Sequence, residues 1–149
     1  LANRRAWLNS LNAEWDVSRG LLYLLLLDID RFKVVNDVHG HAVGDNVLVA
    51  VARCLQDILG DRGTCGRFGG EEFVAWARID SRPSMAVLSE QLLGAVRGIL
   101  WSDLAPNLRI TASLGWCSAD EHATIELALA EADRRMYEAK RAGGDQIAG

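Results

Sequence analysis

The chain has 149 residues, 50% of them hydrophobic and 24% charged, with a net charge of −4. That balance suits one soluble domain with its own core and argues against a nucleic-acid or membrane binder, so an anionic ligand needs local basic groups or metal ions. The longest apolar run, Gly20 to Leu27, is too short to span a bilayer.

Three cysteines (Cys54, Cys65, Cys117) lack CxxC spacing, and the odd count argues against a disulfide framework. They read as reduced structural thiols in a cytoplasmic domain. The chain starts within a helix-like pattern and reads as one domain over residues 1–149, excised from a longer protein.

In chain order, Ala2 to Val17 carries Ala6, Trp7, Leu8, Leu11 and Trp15 at helical spacing, and Gly20 is expected to end that helix. Leu21 to Ile29 is continuously apolar, the pattern of a strand buried on both faces. A polar segment, Arg31 to Gly44, follows. Val47, Leu48, Val51, Ala52, Leu55, Ile58 and Leu59 then predict a long helix that Gly60 closes. Thr64–Phe68 and Phe73–Ile79 flank Gly69-Gly70 as a hairpin. Pro83 opens a helix to about Trp101, Leu108–Cys117 is a strand, and Ile125–Arg141 is a last helix stopped by Gly143-Gly144. No repeat or linker interrupts this order, which predicts an α/β fold with a mixed sheet flanked by helices.

Two acidic clusters stand out. Asp28-Ile29-Asp30 lies where the buried strand ends, the place where α/β sheets gather ligands. We read its two carboxylates as facing opposite sides of the strand, so at most one is expected to share a site with the hairpin. At the hairpin tip, Glu71-Glu72 sets two like charges side by side. Converged, these carboxylates suit Mg²⁺ or Mn²⁺. Gly69 and Gly70 leave the backbone open to a bulky ligand. Taken alone, each cluster has a plainer alternative, a solvated strand end for the first and a solvated hairpin tip for the second.

The stretches LANRRAW, DIDRFKVVNDVHGHAVGD, RFGGEEF, TASLGW and EADRRMYEAK occur in this order along nearly the whole chain. Together they resemble the GGDEF domain of diguanylate cyclases, in its GGEEF variant. The resemblance implies a fold similar to nucleotidyl cyclases and polymerase palm domains. It also implies condensation of two GTP into cyclic di-GMP with release of two pyrophosphates. Asp28, the Ile29 carbonyl and Glu72 are the implied ligands of two metal ions. Glu71 is the implied catalytic base or a further ligand.

Asn36 and Asp45 are the implied readers of guanine, and His41 reads either as lining that pocket or as structural. From the residues alone the preferred reading of Asp45 is helix capping, in the first turn of the Val47–Leu59 helix. Phosphate is expected at the backbone around Arg31, Phe32 and Lys33, where a short helix starts, and at Lys140. The implied partners are a second copy of the domain in a transient homodimer and an upstream sensory or regulatory domain. No nucleic-acid polymer and no membrane contact is implied.

Two departures are visible. The family pattern A-K-x-x-G-R-N reads Ala139-Lys140-Arg141-Ala142-Gly143-Gly144-Asp145 here, without the arginine. Where many members carry an R-x-x-D product site, this chain has Gly60-Asp61-Arg62-Gly63, so that inhibitory site is expected to be absent. The first departure leaves a second reading, a GTP-binding module that regulates a partner. Asp45 disfavours a cyclase for another nucleotide.

Overall fold

The computed structural model describes residues 2–149; Leu1, the first residue of LANRRAW, lies outside them. Its centre is β1 (Leu22–Ile29), every residue of which is buried. The apolar run achieves this by serving two cores at once. Tyr23, Leu25, Leu27 and Ile29 face one side of the sheet with Val47, Val51, Leu55, Leu88 and Leu92. Leu22, Leu24 and Leu26 face the other with Trp7, Leu11, Ala128 and Ala132.

The element order is α1 (Arg4–Trp15), β1, α2 (Phe32–His39), α3 (His41–Leu59), β2 (Gly63–Gly69), β3 (Glu72–Arg78), α4 (Arg82–Gly98), β4 (Ala112–Ser118), α5 (Ile125–Arg141) and β5 (Ile147–Ala148). The five strands form one sheet in the order β2-β3-β1-β4-β5. It is antiparallel except between β4 and β5, which makes it the expected mixed sheet.

Local chemistry explains most boundaries. Asn3, Ser81 and Thr124 cap α1, α4 and α5 by accepting hydrogen bonds from backbone N–H groups inside the first turn. Gly115 on β4 lets α5 lie directly on the sheet, since a Cβ there would fall 2.1 Å from Met136 N and 2.3 Å from Ala132 O. The three thiols are free, and burial pushes Cys65 up to about 11 and Cys117 up to about 12.

Several expectations need correction. α1 is shorter than Ala2–Val17 and ends before Gly20, which sits in a 3-10 turn. The segment Arg31–Gly44 is helical for most of its length, and α3 begins at His41 rather than Val47. Gly40, at φ 86°, breaks the two helices apart. α4 stops at Gly98, β4 starts at Ala112 rather than Leu108, and β5 was not foreseen. Among the described residues, no helix is long and apolar enough to cross a membrane.

Candidate active site

Strand register brings the two acidic clusters together. Asp28 on β1 stands opposite Glu72 on β3, and the Ile29 N–H donates to the Glu71 carbonyl at 3.3 Å. Directly paired strand residues hold their Cβ atoms about 5 Å apart, so this register sets two carboxylates side by side at the sheet end. The hairpin tip is closed by Gly70, at φ 49°, whose carbonyl accepts from Arg67 Nε at 2.9 Å. Nothing lies within 4 Å of where a Cβ would stand on Gly69 or Gly70, so the backbone there is open.

Asp28 is only 3% exposed. Its Oδ1 meets the Lys140 ammonium at 2.6 Å but receives no well-directed hydrogen bond. Burial raises its pKa to about 6, against the pull of Lys140 and with a further push from Glu71 and Glu72. A carboxylate this costly to ionise, facing two others, favours added positive charge.

Among the described residues, no three His, Cys, Asp or Glu side chains are already gathered into a cation site. The expected convergence of three carboxylates is therefore not preformed: like charges repel, and Lys140 partly neutralises Asp28. Even so, carboxylate oxygens, a backbone carbonyl at Ile29 and a poorly satisfied buried oxygen on Asp28 are a donor set that fits a hard divalent cation.

Asp30 corrects the expectation of opposite faces, because residues i and i+2 of a strand share a face. Its Oδ1 accepts from Ser113, the residue paired with Asp28 across β1 and β4. Its Oδ2 accepts from Thr111 at 2.7 Å and from the Asp145 N–H at 2.8 Å. These bonds, rather than its direction, commit Asp30 to holding the turn after α5. Sequence reasoning missed that role, although the hydroxyls in TASLGW were its signal.

α2 starts at the sheet end, with Arg31 as its N-cap in the left-handed conformation, φ 53°. The first turn bonds Val34 N–H and Val35 N–H to the Arg31 carbonyl, and the first N–H groups, Phe32 and Lys33, precede any intrahelical bond. Phe32 is buried, while Lys33 is exposed.

Gly44 lets α2 and α3 meet closely: a Cβ there would lie 1.9 Å from Asn36 Oδ1. Asn36 is thereby held one residue from Asp45, across the helix junction. Asp45 is exposed and lines a cavity of about 430 Å³ with Leu48, Arg53, Arg67 and Phe73, between α3 and the hairpin. As the fifth residue of α3 it lies beyond the first turn, so helix capping does not explain it. His41 is exposed at the start of α3 and lines neither this cavity nor the one beside α2. Leu48 and Phe73 were not singled out as pocket residues because their apolar spacing reads only as core.

A family profile described as "Diguanylate cyclase, GGDEF domain" matches residues 1–146. Diguanylate cyclase DgcZ of Escherichia coli is 35% identical over 122 residues, covering 82% of this chain and 41% of that protein. The crystallised GGDEF domain of YfiN from Pseudomonas aeruginosa superposes with a TM-score of 0.90 at 30% identity, covering 99% of this chain and 95% of that one. A structure described as the active GGEEF domain of a diguanylate cyclase from Vibrio cholerae superposes with a TM-score of 0.83 at 28% identity, covering 98% and 94%. The chain belongs to the GGDEF family of diguanylate cyclase domains. It spans less than half the length of DgcZ.

Proposed function

We propose that this domain condenses two GTP molecules into cyclic di-GMP, releasing two pyrophosphates, as a cytoplasmic module of a longer signalling protein with an upstream sensory or regulatory domain. The observation that carries the reading is the Asp28–Glu72 register, with Glu71 tied to Ile29, beside the open start of α2. The kinship with cyclase domains, one of them an active GGEEF domain, supports it.

Asp28, the Ile29 carbonyl and Glu72 would hold Mg²⁺ or Mn²⁺, two ions per site, with Glu71 available as a further ligand. Bound there, such ions would offset phosphate charge and make the attacking hydroxyl more acidic. Glu71 takes the 3′-hydroxyl proton. The Phe32 and Lys33 N–H groups, with the Lys33 and Lys140 ammoniums, orient the triphosphate for in-line displacement. Gly69 and Gly70 allow it to pass close to the hairpin. Asn36 and Asp45 read the base, because a carboxylate accepts from both guanine N1–H and the exocyclic amine while adenine lacks that donor pair.

Since Asp45 is exposed and outside the first turn of α3, Asp45→Ala is expected to leave the melting temperature nearly unchanged. Preference for GTP over ATP falls roughly 10- to 100-fold, as when a specific polar contact is lost. Unchanged preference would contradict the base-reading role. A second reading, a domain that binds GTP and regulates a partner without turnover, is favoured only by Gly144, which carries no arginine for phosphate.

The absence of the arginine and aspartate at Gly60 and Gly63 carries its own expectation. Cyclic di-GMP titrated into a cyclase assay is expected to compete with GTP and nothing more. Tight non-competitive inhibition would reveal a product site elsewhere.

A further inference from the structure

A second cavity, of about 400 Å³ and without Asp45 in its lining, is lined in part by Asp30, Arg31, Val34, Asn107, Arg109 and Gly143. The chain as a whole is acidic, yet this cavity has two guanidinium groups. Among the described residues, neither Arg31 nor Arg109 is paired with a carboxylate. Asp30, the one carboxylate in the lining, already accepts hydrogen bonds from Thr111, Ser113 and the Asp145 N–H. Two exposed arginines therefore face a concave surface with their charge unspent.

The cavity's position gives that charge a use. Arg31 is the N-cap of α2, so its side chain leaves the backbone where the open N–H groups of Phe32 and Lys33 begin. Gly143, also in the lining, follows α5 and lies close in sequence to Lys140, whose ammonium is at Asp28. The next residue, Gly144, has φ 75°, and a Cβ there would meet the Asp30 carboxylate atoms at 3.0 Å. An arginine at 144 would be strained in this backbone and crowd Asp30, so this position supplies no guanidinium.

We propose that Arg31 and Arg109 bind the terminal phosphate of the nucleoside triphosphate, taking the part that Gly144 leaves unfilled. This rests on the reading of the Asp28–Glu72 end as a GTP site. Guanidinium groups suit the role because each presents planar paired donors to phosphate oxygens. Two of them on separate elements clamp a terminal group that a diphosphate does not extend to. The arginines act in holding the polyphosphate and take no part in proton transfer.

The test uses Arg31→Asn, which tolerates the left-handed backbone at that position, and Arg109→Gln, each compared with the unsubstituted protein. Calorimetry with Mg²⁺ measures the affinity of a non-hydrolysable GTP analogue and of GDP, and melting temperature monitors the fold. Each substitution is expected to weaken the triphosphate about tenfold or more, with GDP changed less than threefold, as for loss of one charge-assisted contact. Undiminished triphosphate affinity, or equal loss on both nucleotides, would overturn the clamp while leaving the GTP site standing. Failure of the unsubstituted protein to bind the analogue at all would overturn the reading beneath it and the clamp together.

Discussion

Glu72→Gln and Asp28→Asn are each expected to abolish cyclic di-GMP formation, lowering turnover by roughly a hundredfold to ten-thousandfold, while the fold persists. The size follows from the register that pairs these two residues at the end of β1 and β3, where charge on a reacting phosphate is to be balanced. Stability moves the other way for Asp28. Its carboxylate is pushed up to about 6 from an ordinary value of 3.8, chiefly by burial. Between about pH 4 and pH 6 the folded state therefore binds more protons than the unfolded state, so metal-free stability falls as pH rises through that window.

The full cost is present above about pH 6 and amounts to at most about 3 kcal/mol. Asp28→Asn removes it. The metal-free variant is expected to melt several degrees higher than the unsubstituted protein at pH 7.5, with the difference vanishing near pH 4. Retained turnover in either variant would refute the ligand assignment. An equal melting shift at both pH values would show that burial of the Asp28 charge is not what the substitution relieves.

Dilution is expected to suppress activity per molecule. If Asn36 and Asp45 form one guanine-reading pair per domain, as proposed, the two-fold symmetry of cyclic di-GMP requires two domains facing each other. An isologous pair aims each 3′-hydroxyl at the α-phosphate held by the other copy. A segment that joined two copies would raise their effective concentration, an advantage the domain by itself lacks. Specific activity should rise with protein concentration, and a leucine zipper fused before α1 should restore it at low concentration by about 100-fold or more. Flat specific activity across a hundredfold dilution, with a monomer seen by sedimentation, would sink the two-domain mechanism.

Much of the fold was legible where apolar pattern and caps agree. The apolar run Leu21 to Ile29 reads as a strand buried on both sides, which β1 is from Leu22 on, and Gly69-Gly70 between two strand-like runs marks the hairpin turn. The short helix after Arg31 and the long helix were both read, but not that they meet at Gly40: residues 41–46 carry no apolar spacing of their own, and their close approach to α2 rests on Gly44 beside Asn36 and Phe32. β5 is two residues long and forms only because Ile147 reaches Leu114.

Of the site, the acidic residues were visible as chemistry, and the family resemblance assigned their roles. What the chain order hid were pairings between distant segments: Lys140 on Asp28, and the hydroxyls of Thr111 and Ser113 on Asp30. Arg31 and Arg109 are ordinary surface arginines until α2 and residues 107–111 enclose one cavity.

The central claim is tested most directly by incubating the purified domain at high concentration with GTP and Mg²⁺ and separating the nucleotides by chromatography. The account predicts that GTP is converted to cyclic di-GMP with two pyrophosphates released per product, and that ATP is left untouched. GTP that binds and is recovered unchanged, under conditions where the zipper-fused domain is dimeric, would contradict it.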